Sequence, residues 1–166
     1  MTAVPDHYVY RHRVTFDETN LVGNVYFAHY LHWQGHCREH FLAEHAPSVL
    51  DQLADGLALV TVDCSAEFFA ESRAMDRVEV HMMLDRMAGN RVTMSFDYLR
   101  TEPGPVELLA RGRQTVACMR RGLHGLEPAV VPEALRLALT AYATPAGAPL
   151  GGAAMVGAFP AAGVAR

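Results

Sequence analysis

A single long stretch with helical spacing, set among segments that alternate like strands, limits the fold of this chain more than any other feature. From about Phe27 to His45 the apolar residues recur three and four apart, and at about 100° per residue Tyr30, Trp33, Cys37 and Phe41 share one side. Leu31 and Leu42 widen that arc on its flank. His29, His32, His36, Glu39 and His40 fall opposite and are expected to meet water. Arg38 breaks the pattern, because the same arithmetic sets it inside the apolar arc. A guanidinium there needs a partner or a task, since desolvating a charge without compensation is costly.

Strands flank this helix. Residues 8–16 alternate, with Tyr8, Tyr10, His12, Val14 and Phe16 on one face and Val9, Arg11, Arg13 and Thr15 on the other. After the long helix, Pro47 restarts a helical turn, with Ser48 as its N-cap and Gly56 past its end. Val60, Val62, Cys64, Ala66 and Phe68 then alternate with Thr61, Asp63, Ser65 and Glu67, which predicts one apolar and one polar face. Val78, Val80, Met82 and Leu84 mark a further strand, which Gly89 and Asn90 turn into Val92, Met94, Phe96 and Tyr98. The TEPGP cluster at 101–105 leads into a long strand from Val106 to about Arg121, where Gly112 interrupts the alternation and predicts a bulge. Pro132 opens a last helix carrying Leu135, Leu139 and Tyr142. One long apolar helix and one antiparallel sheet leave one arrangement, an α+β hotdog fold in which the sheet wraps around the helix.

Composition narrows the class. The chain has 166 residues, 51% of them hydrophobic, which suits one domain with a full core. We expect a domain over 1–143 followed by an Ala/Gly/Pro-rich tail, 144–166, that lacks charge and periodicity and is read as disordered. The net charge of -4 and the absence of a basic run longer than Arg120-Arg121 argue against nucleic acid. No basic-plus-apolar leader and no run of about 18 apolar residues occurs, so no membrane partner and a cytoplasmic location are expected. Cys37, Cys64 and Cys118 lack C-x-x-C spacing and sit in apolar contexts, which predicts buried thiols.

The residues before and along the helix form a pattern. Asp17, Thr19, Asn20, Gly23, Asn24, Val25, Tyr26, Tyr30, Leu31 and Trp33 follow D-x-T-[DN]-x-x-G-[HN]-V-[YF]-x-x-x-Y-L-x-W, and this resembles the 4-hydroxybenzoyl-CoA thioesterase-like hotdog family over roughly residues 7–142. The version with Asn20 and Arg38 resembles the thioesterases that accompany enediyne polyketide synthases. The resemblance implies an acyl thioesterase without cofactor. It acts on a polyene or β-keto acyl thioester of an acyl carrier protein or CoA, and assembles as a dimer or dimer of dimers with active sites between subunits.

A thioester carbonyl becomes an oxyanion in the transition state, and backbone N–H groups at a helix N-terminus are its simplest stabilisers. Those near Tyr26 to Ala28 are placed to serve. Many hotdog thioesterases carry a carboxylate just before this helix; here Asn20 stands in that position, and an amide neither attacks nor takes a proton. The resemblance therefore implies catalysis by hydrogen bonding, with Asn20, Tyr30 and Arg38 as catalytic residues. Tyr26, Phe27, Thr61 and Glu67 are the candidate substrate-binding residues. Asn20 could instead close its own turn, and Arg38 could form a buried ion pair with Glu67 or Asp63. Met82, Met83, Met87 and Met94 are suited either to an acyl channel or to the core.

Other chemistries find less support. His36-Cys37-Arg38-Glu39-His40 matches the H-x-x-E-H zinc pattern, but in a chain with nine histidines and on an exposed face it is read as chance, and no metal is expected. No G-x-S-x-G occurs, so no nucleophile elbow exists. A hydratase with His29 as base, and a non-catalytic acyl-binding domain, are the competing readings.

Overall fold

The computed structural model describes residues 6–144, so the predicted tail beyond Thr144 lies outside the described residues. Its elements are β1 (Tyr8–Arg13), a 3-10 turn (Phe16–Glu18), α1 (Ala28–His45), α2 (Pro47–Ala54), β2 (Leu57–Phe68), β3 (Arg77–Ala88), β4 (Arg91–Glu102), β5 (Glu107–Gly122), β6 (Gly125–Pro128) and α3 (Glu133–Thr140). The strands form one antiparallel sheet in the order β1-β3-β4-β5-β2, with β6 paired to β5. The short β6 hairpin was not anticipated, because its residues, Gly-Leu-Glu-Pro, show no alternation.

The inward face of the sheet takes up the apolar side of α1. Tyr30, Trp33, Cys37 and Phe41 are buried as predicted, against Val78, Val80 and Met82 of β3 and Met94, Phe96 and Tyr98 of β4. Met82 and Met94 therefore belong to the core, while Met83 and Met87 are half-buried. Gly89 and Asn90 make the tight turn between β3 and β4, with Ala88 opposite Arg91 and Gly89 at φ +58°. Leu135 and Leu139 of α3, with Tyr142 just beyond it, close the core. Ala143 bridges to Leu84, and the Thr144 N–H donates to the Leu84 carbonyl.

Three expectations need correction. Phe16 is 76% exposed, because the strand ends at Arg13 and Phe16 starts the 3-10 turn. Gly112 is not a bulge; it pairs regularly with Ala66 and Phe96. Its bareness instead makes room for Gln34, whose Nε2 lies 2.3 Å from where a Cβ would stand. The irregularity of β5 lies slightly earlier, where Tyr98 pairs with Ala110 but Leu99 pairs with Leu108.

The third correction concerns β2. A bulge at Val62 separates Thr61, opposite Val116, from Asp63, opposite Thr115. Thr61 thereby joins Cys64, Ala66 and Phe68 on the helix side, while Val60 turns away with Asp63, Ser65 and Glu67. The predicted alternation holds only beyond the bulge. β2 is also an edge strand, so Cys64 is exposed rather than buried, and Val62 and Phe68 are 45% and 41% exposed. Cys37 and Cys118 are buried as expected.

Candidate active site

Residues 14–27 set up the helix N-terminus. The buried Glu18 carboxylate accepts hydrogen bonds from the Thr15 N–H at 2.8 Å and Trp33 Nε1 at 2.8 Å, and lies 2.8 Å from His12 Nε2. Burial opposes its ionisation, but the bonds from Thr15, His12 and Trp33 outweigh it and hold the carboxyl below the usual carboxylate range. Glu18 thus ties the loop to the helix. Sequence reasoning missed it; the signal was available as a Thr15/Glu18 capping-box spacing.

Asn20 starts the turn that follows. Its Oδ1 accepts the Val22 N–H at 3.0 Å, its N–H donates to the Asn24 carbonyl at 2.9 Å, and Gly23 takes φ +86°. The side chain is exposed, and its turn-closing bond is the structural role anticipated as the alternative to catalysis. Its Oδ1 keeps a second lone pair, and among the described residues its Nδ2 has no acceptor.

At the start of α1 no side chain caps the backbone. The Tyr26 N–H is spent on the Glu18 carbonyl at 2.9 Å, whereas among the described residues the N–H groups of Phe27 and Ala28 have no acceptor. Two open donors at the positive end of an 18-residue helix suit a developing oxyanion. The exposed rings of Tyr26 and Phe27 lie beside them, centroids 4.5 Å apart.

Tyr30 is 3% exposed, its ring packed against Trp33, Phe68 and Tyr98. Its carbonyl accepts the Tyr98 hydroxyl at 2.8 Å, and burial raises its phenol pKa to about 12, so the hydroxyl stays protonated at neutral pH. Arg38 lies eight residues further, about 12 Å along the helix axis. Its Nη1 donates to Gln114 Oε1 at 3.0 Å and to Thr61 Oγ1 at 3.4 Å. Burial pulls its pKa down, though a guanidinium stays charged at any working pH.

The anticipated ion pair with Glu67 or Asp63 is absent among the described residues, because the Val62 bulge leaves both carboxylates on the outward face. Arg38 and Thr61 are thus brought together, with Gln114 as a partner the sequence did not signal. Asn20, Tyr30 and Glu67 do not touch this pair within the chain. Cavities of about 480 and 230 Å³ are lined by other residues, among them Arg13 and Arg77 in one and Arg91 and Arg113 in the other. His29 is half-buried with its ring edge-on to His32, and His36 and His40 pack near Tyr10. Among the described residues no group of three or more His, Cys, Asp or Glu is arranged to hold a metal.

A profile of the thioesterase-like superfamily matches residues 14–139. The chain belongs to that superfamily. It is 73% identical to the dynemicin thioesterase, with a TM-score of 0.82 over 83% of this chain and 98% of that one; the crystal structures of that protein concern induced-fit and allosteric effects upon polyene binding. Two more distant structures share the fold. The 1,4-dihydroxy-2-naphthoyl-CoA thioesterase of Synechocystis is 23% identical with a TM-score of 0.70, covering 81% of this chain and 96% of that one. The 4-hydroxybenzoyl CoA thioesterase of a Pseudomonas strain is 18% identical with a TM-score of 0.69, covering 80% and 98%. No curated protein matches. The chain is a hotdog-fold acyl thioesterase.

Proposed function

We propose that this thioesterase releases a polyketide chain, a polyene or β-keto acyl group, from an acyl carrier protein or CoA without a carboxylate nucleophile or base. The observation that carries the reading is the Arg38 guanidinium, half-buried and held, among the described residues, only by the neutral Gln114 and Thr61, so that its charge is free for an anion. The likeness to the dynemicin thioesterase supports the polyketide substrate.

In this mechanism the Phe27 and Ala28 N–H groups and Asn20 receive the thioester oxygen, while Tyr30 donates to the acyl chain's polar end. Water adds to the carbonyl carbon, the C–S bond breaks, and the water's proton leaves with the sulfur, giving a carboxylic acid and a free thiol. Arg38 holds the β-keto oxygen and stabilises enolate or carboxylate character in the β-keto acid product. Tyr26 and Phe27 flank the mouth; Thr61 and Glu67 complete the binding residues. Because Asn20 and Arg38 do not meet within one chain, a homo-oligomer in which a second copy covers β2 completes the site. The location proposed is the cytoplasm, beside the carrier; among the described residues no helix is long and apolar enough to cross a membrane.

The test is release of free thiol from a β-ketoacyl-CoA or acyl carrier protein. Arg38→Ala is expected to reduce kcat by about a hundredfold with an unchanged melting temperature; a full rate in that variant would remove Arg38 from the mechanism.

A further inference from the structure

We infer that Gln114 is a positioning residue for the reaction. It presents a neutral amide oxygen where a carboxylate would be the ordinary partner, and so aims the Arg38 guanidinium while leaving its charge free for the substrate. The inference rests on the role proposed for Arg38 and deepens it.

The geometry is specific. Gln114 stands on β5 between Arg113 and Thr115, which face outward, and is only 5% exposed, so its amide has little freedom to turn elsewhere. Its Oε1 takes an Arg38 N–H at 3.0 Å, and Thr61, brought inward by the Val62 bulge, takes the same nitrogen at 3.4 Å. The other arginines with side-chain partners behave differently. Arg11, Arg77, Arg100, Arg111, Arg113 and Arg136 each lie within ion-pair distance of an aspartate or glutamate. Among the described residues Arg38 has no such partner, and the exposed Glu39 of its own helix is the carboxylate whose field reaches it. A desolvated cation held by neutral groups forgoes the stabilisation an ion pair would bring. What it retains is an unspent charge, directed by two fixed acceptors, and an anion binds such a charge more strongly than one already paired. The ligand class that fits is an acyl group with a second oxygen able to carry negative charge, and the acid product made from it.

Gln114→Glu keeps the shape and adds the missing charge. With a β-ketoacyl-CoA as substrate, kcat is expected to fall by roughly tenfold to a hundredfold at an unchanged melting temperature. Inhibition by the free β-keto acid should weaken in parallel, while inhibition by the uncharged amide analogue should hold. In an Arg38→Ala background the same substitution is expected to have no further effect. If Gln114→Glu fails to fold, Gln114→Met, which keeps the volume without the acceptor, is expected to lose about tenfold. Full activity in the folded Gln114 variant, with Arg38→Ala impaired, would overturn the inference and leave the role of Arg38 standing. Full activity in Arg38→Ala would sink the underlying reading instead.

Discussion

Glu18 illustrates how much a single side chain holds in place at this site. It joins Thr15, His12 and Trp33 in the segment that presents the helix N-terminus. Its carboxyl titrates below the usual range when folded, so its contribution is fully present above the unfolded pKa and is lost as pH falls through the folded one. Glu18→Gln is therefore expected to lower stability by about 2 kcal/mol at neutral pH, with the gap from the parent protein shrinking as pH drops below about 4. Denaturant titrations at both pH values measure it, and a constant gap would contradict the assignment. Gly112 holds a different kind of position. A methyl group there would meet the wholly buried Gln34 amide at 2.3 Å, the Tyr98 hydroxyl at 3.1 Å and the Ser65 carbonyl at 3.2 Å. Moving Gln34 would break its bond to that carbonyl at 2.9 Å. Gly112→Ala should cost about 1–3 kcal/mol, and much of that should return in the Gln34→Ala background. Additive losses in the double-mutant cycle would show that the two residues do not meet.

At the scale of the element, the decisive device is the bulge in β2. A strand alternates strictly, so the polar run Thr61, Asp63, Ser65, Glu67 could not be split between faces without one extra residue. Val62 is that residue, and it sends Thr61 to Arg38 while Asp63 and Glu67 stay outside. Deleting Val62 removes the surplus and leaves every other residue of β2 on its present face, so the variant is expected to fold and retain most of its thiol release. Deleting Ser65 instead reverses the faces on one side of the cut and should abolish both, as melting curves and thiol assays would register. Helix α1 was legible because its apolar arc repeats from Tyr30 to Leu42, over more than three turns. The bulge was not, because Val60 and Val62 continue an apolar alternation that chemistry alone cannot distinguish from the real one.

On the scale of the whole molecule, the single chain leaves a sheet edge and several apolar side chains exposed. Among the described residues β2 is a 12-residue edge strand with one unpaired side, and Phe16, Leu21, Val22 and Phe27 stand exposed around the helix N-terminus. Sedimentation is expected to give an even multiple of 18.2 kDa, with the Cys64 thiol slow to alkylate until the assembly is diluted or denatured. A monomer with full activity would show that one chain suffices. The amino-acid sequence by itself determined the α+β class, the buried arc of α1, the hairpin at Gly89-Asn90 and the absence of a carboxylate at position 20, because each follows from local periodicity, turn chemistry or residue identity. Tertiary structure alone decided that Gly112 makes room for Gln34, and that Gln114 and Thr61 are what Arg38 touches. Those outcomes depend on which strands become neighbours and on which face a residue lands after a bulge, and neither is encoded within reach of the residues concerned.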